Sequence, residues 1–199
     1  MAEVEKKAEL WLFRHGETEW SLNGKHTSYT DLPLTAHGRE QAAALAPVLA
    51  KVNFDLVLTS PRKRARDTAE LAGVHQNAEI EPYLQEWNYG DFEGLSTPEI
   101  QVEHPGWSVW RDPITGGESL ERVSARAQLV IDRCLAHGGR CALFAHAHIF
   151  RILAGMWVEQ GGLFGQRLGL STASISVLGW EHGTRVITRW NEMPGGPAA

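Results

Sequence analysis

Apolar residues fall in short runs separated by polar, glycine-rich and proline-containing stretches, and the runs are of two kinds. Leu10-Trp-Leu-Phe13, Asp55-Leu-Val-Leu-Thr59 and Cys141-Ala-Leu-Phe-Ala145 are compact blocks without helical spacing, which predicts buried strands. Between them the spacing turns helical. Ala36 to Lys51 follows Thr35 as N-cap, with Leu45, Val48 and Leu49 as its stripe. Arg62 to Ala72 is opened by Pro61 and closed by Gly73. In Ser119 to His137, residues Leu120, Val123, Ala127, Val130, Ile131 and Cys134 share one face. A further helix follows the third strand to about Val158, and Ser174 to Trp180 and Arg185 to Trp190 predict two closing strands joined through His182-Gly183. Strands alternating with helices predict an α/β fold with a mostly parallel central sheet.

Glu81 to Gly117 breaks this rhythm. It mixes prolines and glycines with Trp87, Trp107 and Trp110, and predicts a long excursion with a short helix near Pro98. Such segments usually carry function or act as lids. The expected organisation is one domain over residues 1–193 with the excursion at about 81–117, then a flexible tail over 194–199.

With 43% hydrophobic and 22% charged residues in a chain of 199, disorder and collagen-like structure are excluded. The net charge of -5 argues against nucleic acid or an anionic membrane as partner, although a local cationic pocket is still compatible with it. No apolar run reaches the ~18 residues of a membrane span. Met1 to Leu10 is charged rather than apolar, so the expected compartment is the cytoplasm. Cys134 and Cys141 fit neither a disulfide framework nor a zinc-finger spacing.

Three predicted strands run into reactive residues: Arg14-His15-Gly16-Glu17-Thr18, Ser60-Pro61-Arg62-Lys63-Arg64, and His146-Ala147-His148. Ligand sites of open parallel sheets lie beyond the carboxyl ends of the strands, so these segments can converge. Two arginines and two histidines suit a phosphoryl group: guanidinium stays charged and forks onto phosphate oxygens, and imidazole serves as neutral nucleophile or cationic clamp. An alkoxide leaving group also needs a proton donor. Glu86, within the aromatic excursion, is the best candidate, with Glu93 and Glu118 as competitors.

Five ordered blocks resemble the histidine phosphatase superfamily, the phosphoglycerate mutase-like proteins. They are Arg14-His15-Gly16-Glu17-Thr18; Ser60-Pro61-x-x-Arg64-Ala65-x-x-Thr68-Ala69; Leu84-x-Glu86-Trp87-x-x-Gly90-x-x-Glu93-Gly94; Gly116-Gly117-Glu118-Ser119; and Ala145-His146-Ala147-His148. The resemblance implies a three-layer α/β/α sandwich with neither metal nor cofactor. It also implies His15 as the nucleophile forming a phosphohistidine, Arg14, Arg64 and His146 as holders of the phosphoryl oxygens, and Glu86 as proton donor. Thr27 and Ser28 stand where relatives offer a Thr-Gly turn to the substrate.

Departures from the family pattern select the branch. Ser21 stands where many relatives have asparagine, and Ala147 replaces a common glycine. Trp87 occupies the position where the mutases carry a carboxylate-gripping arginine, and only Leu95 to Thr115 separates the third block from the fourth, without the mutases' long insertion. The pattern is closest to the actinobacterial acid phosphatases of the family. Expected substrate contacts are Ser21, Thr27, Ser28, Trp87, Tyr89 and Ala147. The implied activity is hydrolysis of a small phosphorylated metabolite, with a homodimer left open. A phosphoglycerate mutase is the alternative, and a non-catalytic phospho-ligand binder ranks behind both.

Overall fold

A computed structural model of the chain describes residues 7–195. The charged residues 1–6 and all but the first two residues of the tail expected over 194–199 lie outside the described residues. Six strands, β1 (Glu9–Arg14), β2 (Leu56–Thr59), β3 (Ala78–Ile80), β4 (Arg140–Ala145), β5 (Ile175–Glu181) and β6 (Thr184–Glu192), form one sheet in the order β3-β2-β4-β1-β5-β6. The strands β1 to β4 run parallel, β5 is antiparallel to β1, and β6 is antiparallel to β5. The helices are α1 (Glu19–Leu22), α2 (Ala36–Ala43), α3 (Ala46–Leu49), α4 (Lys63–Leu71), α5 (Thr97–Glu103), α6 (Leu120–His137) and α7 (Ala147–Trp157). No helix among the described residues is long and apolar enough to cross a membrane.

The strands read as continuous apolar blocks because both faces of the sheet are covered. Side chains alternate between faces along a strand, so each block splits into two cores. Leu10, Leu12, Leu58, Cys141, Leu143 and Ala145 join α6, α7 and the aromatic excursion in one cluster. Phe13, Val57, Ala142 and Phe144 join Leu45, Leu49, Ala69 and Ala72 from α2 to α4 and their flanks in the other. That is the three-layer α/β/α arrangement.

Most predicted elements recur within a residue or two of their bounds. Thr35 caps α2 by accepting the Gly38 N–H, Ser119 caps α6 by accepting the Arg122 N–H, and His182 and Gly183 both have positive φ, as the tight turn between β5 and β6 requires. Two readings change. The helix expected over Ala36 to Lys51 is broken into α2 and α3, because Pro47 has no N–H to donate and its ring clashes with the carbonyl four residues back. The edge strand β3 is an addition: Ala78-Glu-Ile80 is mostly exposed and, at three residues, too short to set a period.

Candidate active site

Parallel register brings the reactive segments together. Arg14 pairs with Ala145 and Thr59 with Phe144, so His15, Ser60 and His146 emerge side by side at the carboxyl ends of β1, β2 and β4. The His15 N–H donates to the Ala145 carbonyl at 3.0 Å, and the Ala173 N–H reaches the carbonyls of Arg14 and His15 at 3.1 Å each. The Gly16 N–H donates to Thr68 Oγ1 of α4 at 3.0 Å. A Cβ at Gly16 would drive into the Gly38 carbonyl of α2, so glycine is required by the close approach of two backbones.

His15 is buried, and its Nδ1 lies 2.7 Å from the Gly16 carbonyl oxygen. A carbonyl can only accept, so Nδ1 carries the proton and Nε2 keeps its lone pair. Burial first, then the charges of Arg64 and Arg14, hold the ring well below the ordinary imidazole value, hence neutral. Its ring centroid is 5.2 Å from that of His146. Arg14 donates through Nη1 to the Leu170 carbonyl, while its Nε is buried and has no acceptor among the described residues. Burial lowers its pKa to about 10, opposed by Glu86, so the guanidinium remains positive at neutral pH.

Arg64 is 0% exposed. It donates through Nε to His146 Nδ1 at 3.1 Å, through Nη1 to the Thr30 carbonyl at 3.1 Å, and through Nη2 to the carbonyls of Thr27 and Ser28 at 3.2 Å. His146 Nε2 stands 2.7 Å from Ser60 Oγ. Burial and Arg64 push His146 well below its ordinary value, so it is neutral rather than a cationic clamp. Both residues adjoin His15 without lining the cavity it faces.

Glu86 is buried at the start of α7. Its Oε1 accepts the N–H groups of Trp87 and Ile149, and its Oε2 accepts that of His148, all at 2.9 Å. The donors from Ile149 and His148 are first-turn groups of a helix, which otherwise have no partner. The competing carboxylates are committed elsewhere. Glu118 pairs with Arg126 through Oε1 and Oε2 at 2.9 Å, and Arg126 in turn donates to the carbonyls of Tyr83, Gln85 and Glu86. Glu93 accepts the N–H groups of Ser28 and Thr30, at 2.8 and 3.1 Å, and so holds the turn that grips Arg64.

A cavity of about 540 Å³ opens on this constellation, lined by Arg14, His15, Glu86, Tyr89 and Ala147 among others. Of the expected substrate contacts, Ser21 and Thr27 also line it. The Ser21 hydroxyl is already engaged with the backbone of Thr18 in the cap of α1, and Thr27 Oγ1 donates to the Lys25 carbonyl at 3.1 Å. Two expectations are corrected. Trp87 faces the core, 1% exposed, because its indole N–H is anchored on the Glu118 carbonyl at 2.8 Å. Ser28 is buried outside the lining, its hydroxyl directed at the Glu86 carbonyl at 3.4 Å.

The rest of the wall comes from residues that the sequence did not point to as substrate contacts, among them Lys25, Trp107, Trp110, Arg111, His148 and Arg151. Tyr89 Oη, held protonated by burial, lies 2.7 Å from His148 Nδ1 and has no other acceptor among the described residues, so it donates there. His148 is likewise kept neutral by burial. The spacing of Arg151 four residues after Ala147, on one helical face, is the signal that could have found it.

Residues 10–193 match the family model described as histidine phosphatase superfamily (branch 1). The chain is 42% identical over 180 residues to the acid phosphatase of Mycobacterium tuberculosis, with 88% of each chain covered. It is 30% identical over 180 residues to the glucosyl-3-phosphoglycerate phosphatase of the same species, covering 77% of this chain and 80% of that one. A solved structure of a Mycobacterium tuberculosis open reading frame matches with a TM-score of 0.89 at 38% identity, covering 94% of this chain and 98% of the other.

Proposed function

The chain belongs to the histidine phosphatase superfamily, and on that premise we propose that it hydrolyses small phosphate monoesters through a phosphohistidine on His15. The observation that carries this reading is the state of His15. Its Nδ1–H is spent on Gly16, so a neutral Nε2 with a free lone pair adjoins a cavity lined by Arg14 and Glu86.

In the first half-reaction His15 Nε2 attacks phosphorus in line with the ester oxygen. The P–O bond to the leaving group breaks, and Glu86 gives that oxygen its proton. In the second, Glu86 takes a proton from water as the water oxygen attacks phosphorus, and the N–P bond returns its electrons to His15. Arg14, whose buried Nε has no acceptor among the described residues, offers its fork to the non-bridging oxygens. Arg64 adds charge from behind His15, and His146 orients Arg64. Phosphoryl transfer relies chiefly on such positioning and electrostatics.

The partner in this reading is a small phosphorylated metabolite, with no nucleic acid, membrane or second copy required. The setting is the cytoplasm, where the buried free thiols of Cys134 and Cys141 stay reduced. A colorimetric screen for phosphate release across a panel of phosphometabolites tests the proposal. Turnover of several esters is expected, with no conversion of 3- to 2-phosphoglycerate when 2,3-bisphosphoglycerate is supplied. Efficient mutase turnover with negligible phosphate release would overturn it.

A further inference from the structure

Glu86 belongs to the excursion, and a proton donor works only if it is held against the cavity. Its carboxylate accepts the N–H groups of Trp87, His148 and Ile149. Those contacts favour the charged form, and they weaken once the side chain carries the proton that a leaving group needs. The backbone of this segment therefore needs a hold that does not depend on the protonation of Glu86.

Arg126 of α6 supplies it. The helix is anchored in the core by Val123, Ala127 and Val130. All five N–H groups of the guanidinium have acceptors. Nη1 donates to the Tyr83 carbonyl at 2.9 Å and to the Gln85 carbonyl. Nη2 donates to the Glu86 carbonyl at 3.0 Å and to Glu118 Oε2 at 2.9 Å, and Nε donates to Glu118 Oε1 at 2.9 Å. Three backbone carbonyls beside or at the proton donor thus converge on one planar group. Glu118 holds the next two residues. Its Oε2 also accepts the Asn88 N–H at 2.9 Å, its carbonyl accepts the Trp87 indole N–H at 2.8 Å, and its own N–H donates to the Asn88 carbonyl at 2.9 Å. The Arg126 and Glu118 side chains are 12% and 18% exposed, so the pair is largely withdrawn from the solvent that makes surface ion pairs weak. Glu118 also offsets the guanidinium charge, so the segment is gripped without a full positive charge that would favour an ionised Glu86. Arg126 itself does not line the cavity.

We propose that Arg126 is the positioning residue for proton transfer by Glu86: its fork, completed by Glu118, fixes the backbone of residues 83–88 so that the carboxyl group keeps its place at the leaving-group oxygen. The assignment rests on the phosphatase reading, with Glu86 as donor, and adds a residue that acts on the reaction without touching the substrate.

The test is the ratio of kcat on glycerol 3-phosphate, whose alkoxide needs a proton, to kcat on p-nitrophenyl phosphate, whose leaving group does not. A displaced donor should cost only the first substrate, so Arg126→Met should lower the ratio roughly tenfold or more, with the change in kcat rather than KM. Arg126→Lys keeps the charge but brings three donors to five acceptors, and should lower it less. In the Glu86→Gln background, where no donor is left to position, Arg126→Met should not lower the ratio further. Equal losses on both substrates in folded Arg126→Met, or a further selective loss in the double variant, would overturn the assignment. If Arg126→Met does not fold, Arg126→Lys decides: a selective loss on glycerol 3-phosphate supports the role, and equal losses refute it. Equal losses in Glu86→Gln alone would instead remove the donor, and absence of phosphate release from both esters in the wild type would remove the phosphatase reading; either takes this assignment with it.

Discussion

The Nε–H of Arg64 meets Nδ1 of His146 across 3.1 Å, and this contact fixes the tautomer of the histidine. Nδ1 must accept, so Nε2 carries the proton and donates to Ser60 Oγ at 2.7 Å. Arg64, in turn, has three of its nitrogens committed to protein acceptors. The pair acts on His15 through charge and packing, while Arg14 and Glu86 line the cavity itself. The consequences divide by residue.

Replacing His15, the proposed nucleophile, should end the chemistry without unfolding the chain. His15→Ala is expected to show no turnover of p-nitrophenyl phosphate and no +80 Da phosphoenzyme (the nominal mass of HPO₃, about 80 Da) by rapid-quench intact mass spectrometry. Circular dichroism should match the wild type. Full activity in this variant would exclude the assigned nucleophile.

Glu86→Gln should separate substrates by leaving group. Loss of general-acid assistance typically costs ~10²–10⁴ in rate, and an alkoxide needs that proton while p-nitrophenolate does not. The variant should therefore lose far more activity on glycerol 3-phosphate than on p-nitrophenyl phosphate. Equal losses on both would take Glu86 out of the donor role.

Acid should weaken the fold. Burial holds His15, His26, His146 and His148 below the ordinary imidazole value of 6.5, with His26 lowered to about 4. Between about pH 4 and 6.5 the unfolded chain therefore binds more protons than the folded one, and stability drops as pH falls through that window. Each such group contributes up to about 1.4 kcal/mol per pH unit there. Urea midpoints measured from pH 7.5 to 4.5 should decline steadily; a flat profile would contradict the neutral, buried state of these rings.

Gly16→Ala tests the backbone contact behind the nucleophile. The added methyl would collide with the Gly38 carbonyl, a group that cannot swing aside like the end of a side chain. Overpacking of this kind costs about 1–3 kcal/mol, so the urea midpoint should fall and kcat should fall with it as His15 is displaced. A variant as stable and active as wild type would show that the two backbone segments can part freely.

Chelation should leave turnover intact, because guanidinium groups meet the phosphoryl charge in this reading. Activity after dialysis against EDTA should equal the untreated value, and a loss restored by added divalent cation would point to metal-assisted hydrolysis.

The sheet was legible because its strands are buried on both faces, and a short unbroken apolar block between turn residues is too brief for a helix that packs on one side only. Arg14, His15, Arg64, Glu86 and His146 could be named from ordered motifs, but motifs do not say which side chains reach a cavity. Trp87 sits beside Glu86 in sequence yet turns inward, since the Glu118 carbonyl captures its indole N–H. Arg151 and Lys25 look like ordinary surface cations until tertiary packing sets them in one wall. β3 escaped notice because three mostly exposed residues are too few to carry a periodic signature.

The carboxylate of Glu93 pins the Ser28 and Thr30 amides, and the carbonyls of that same turn hold Arg64. The consequence is temporal. A refolding chain whose sheet has assembled while residues 81–117 are still loose would possess its imidazole and Arg14 but neither a docked Glu86 nor a settled Arg64. Catalytic competence should then be the last property to return, trailing the recovery of ellipticity, and a newly made chain would stay chemically silent until its excursion has docked.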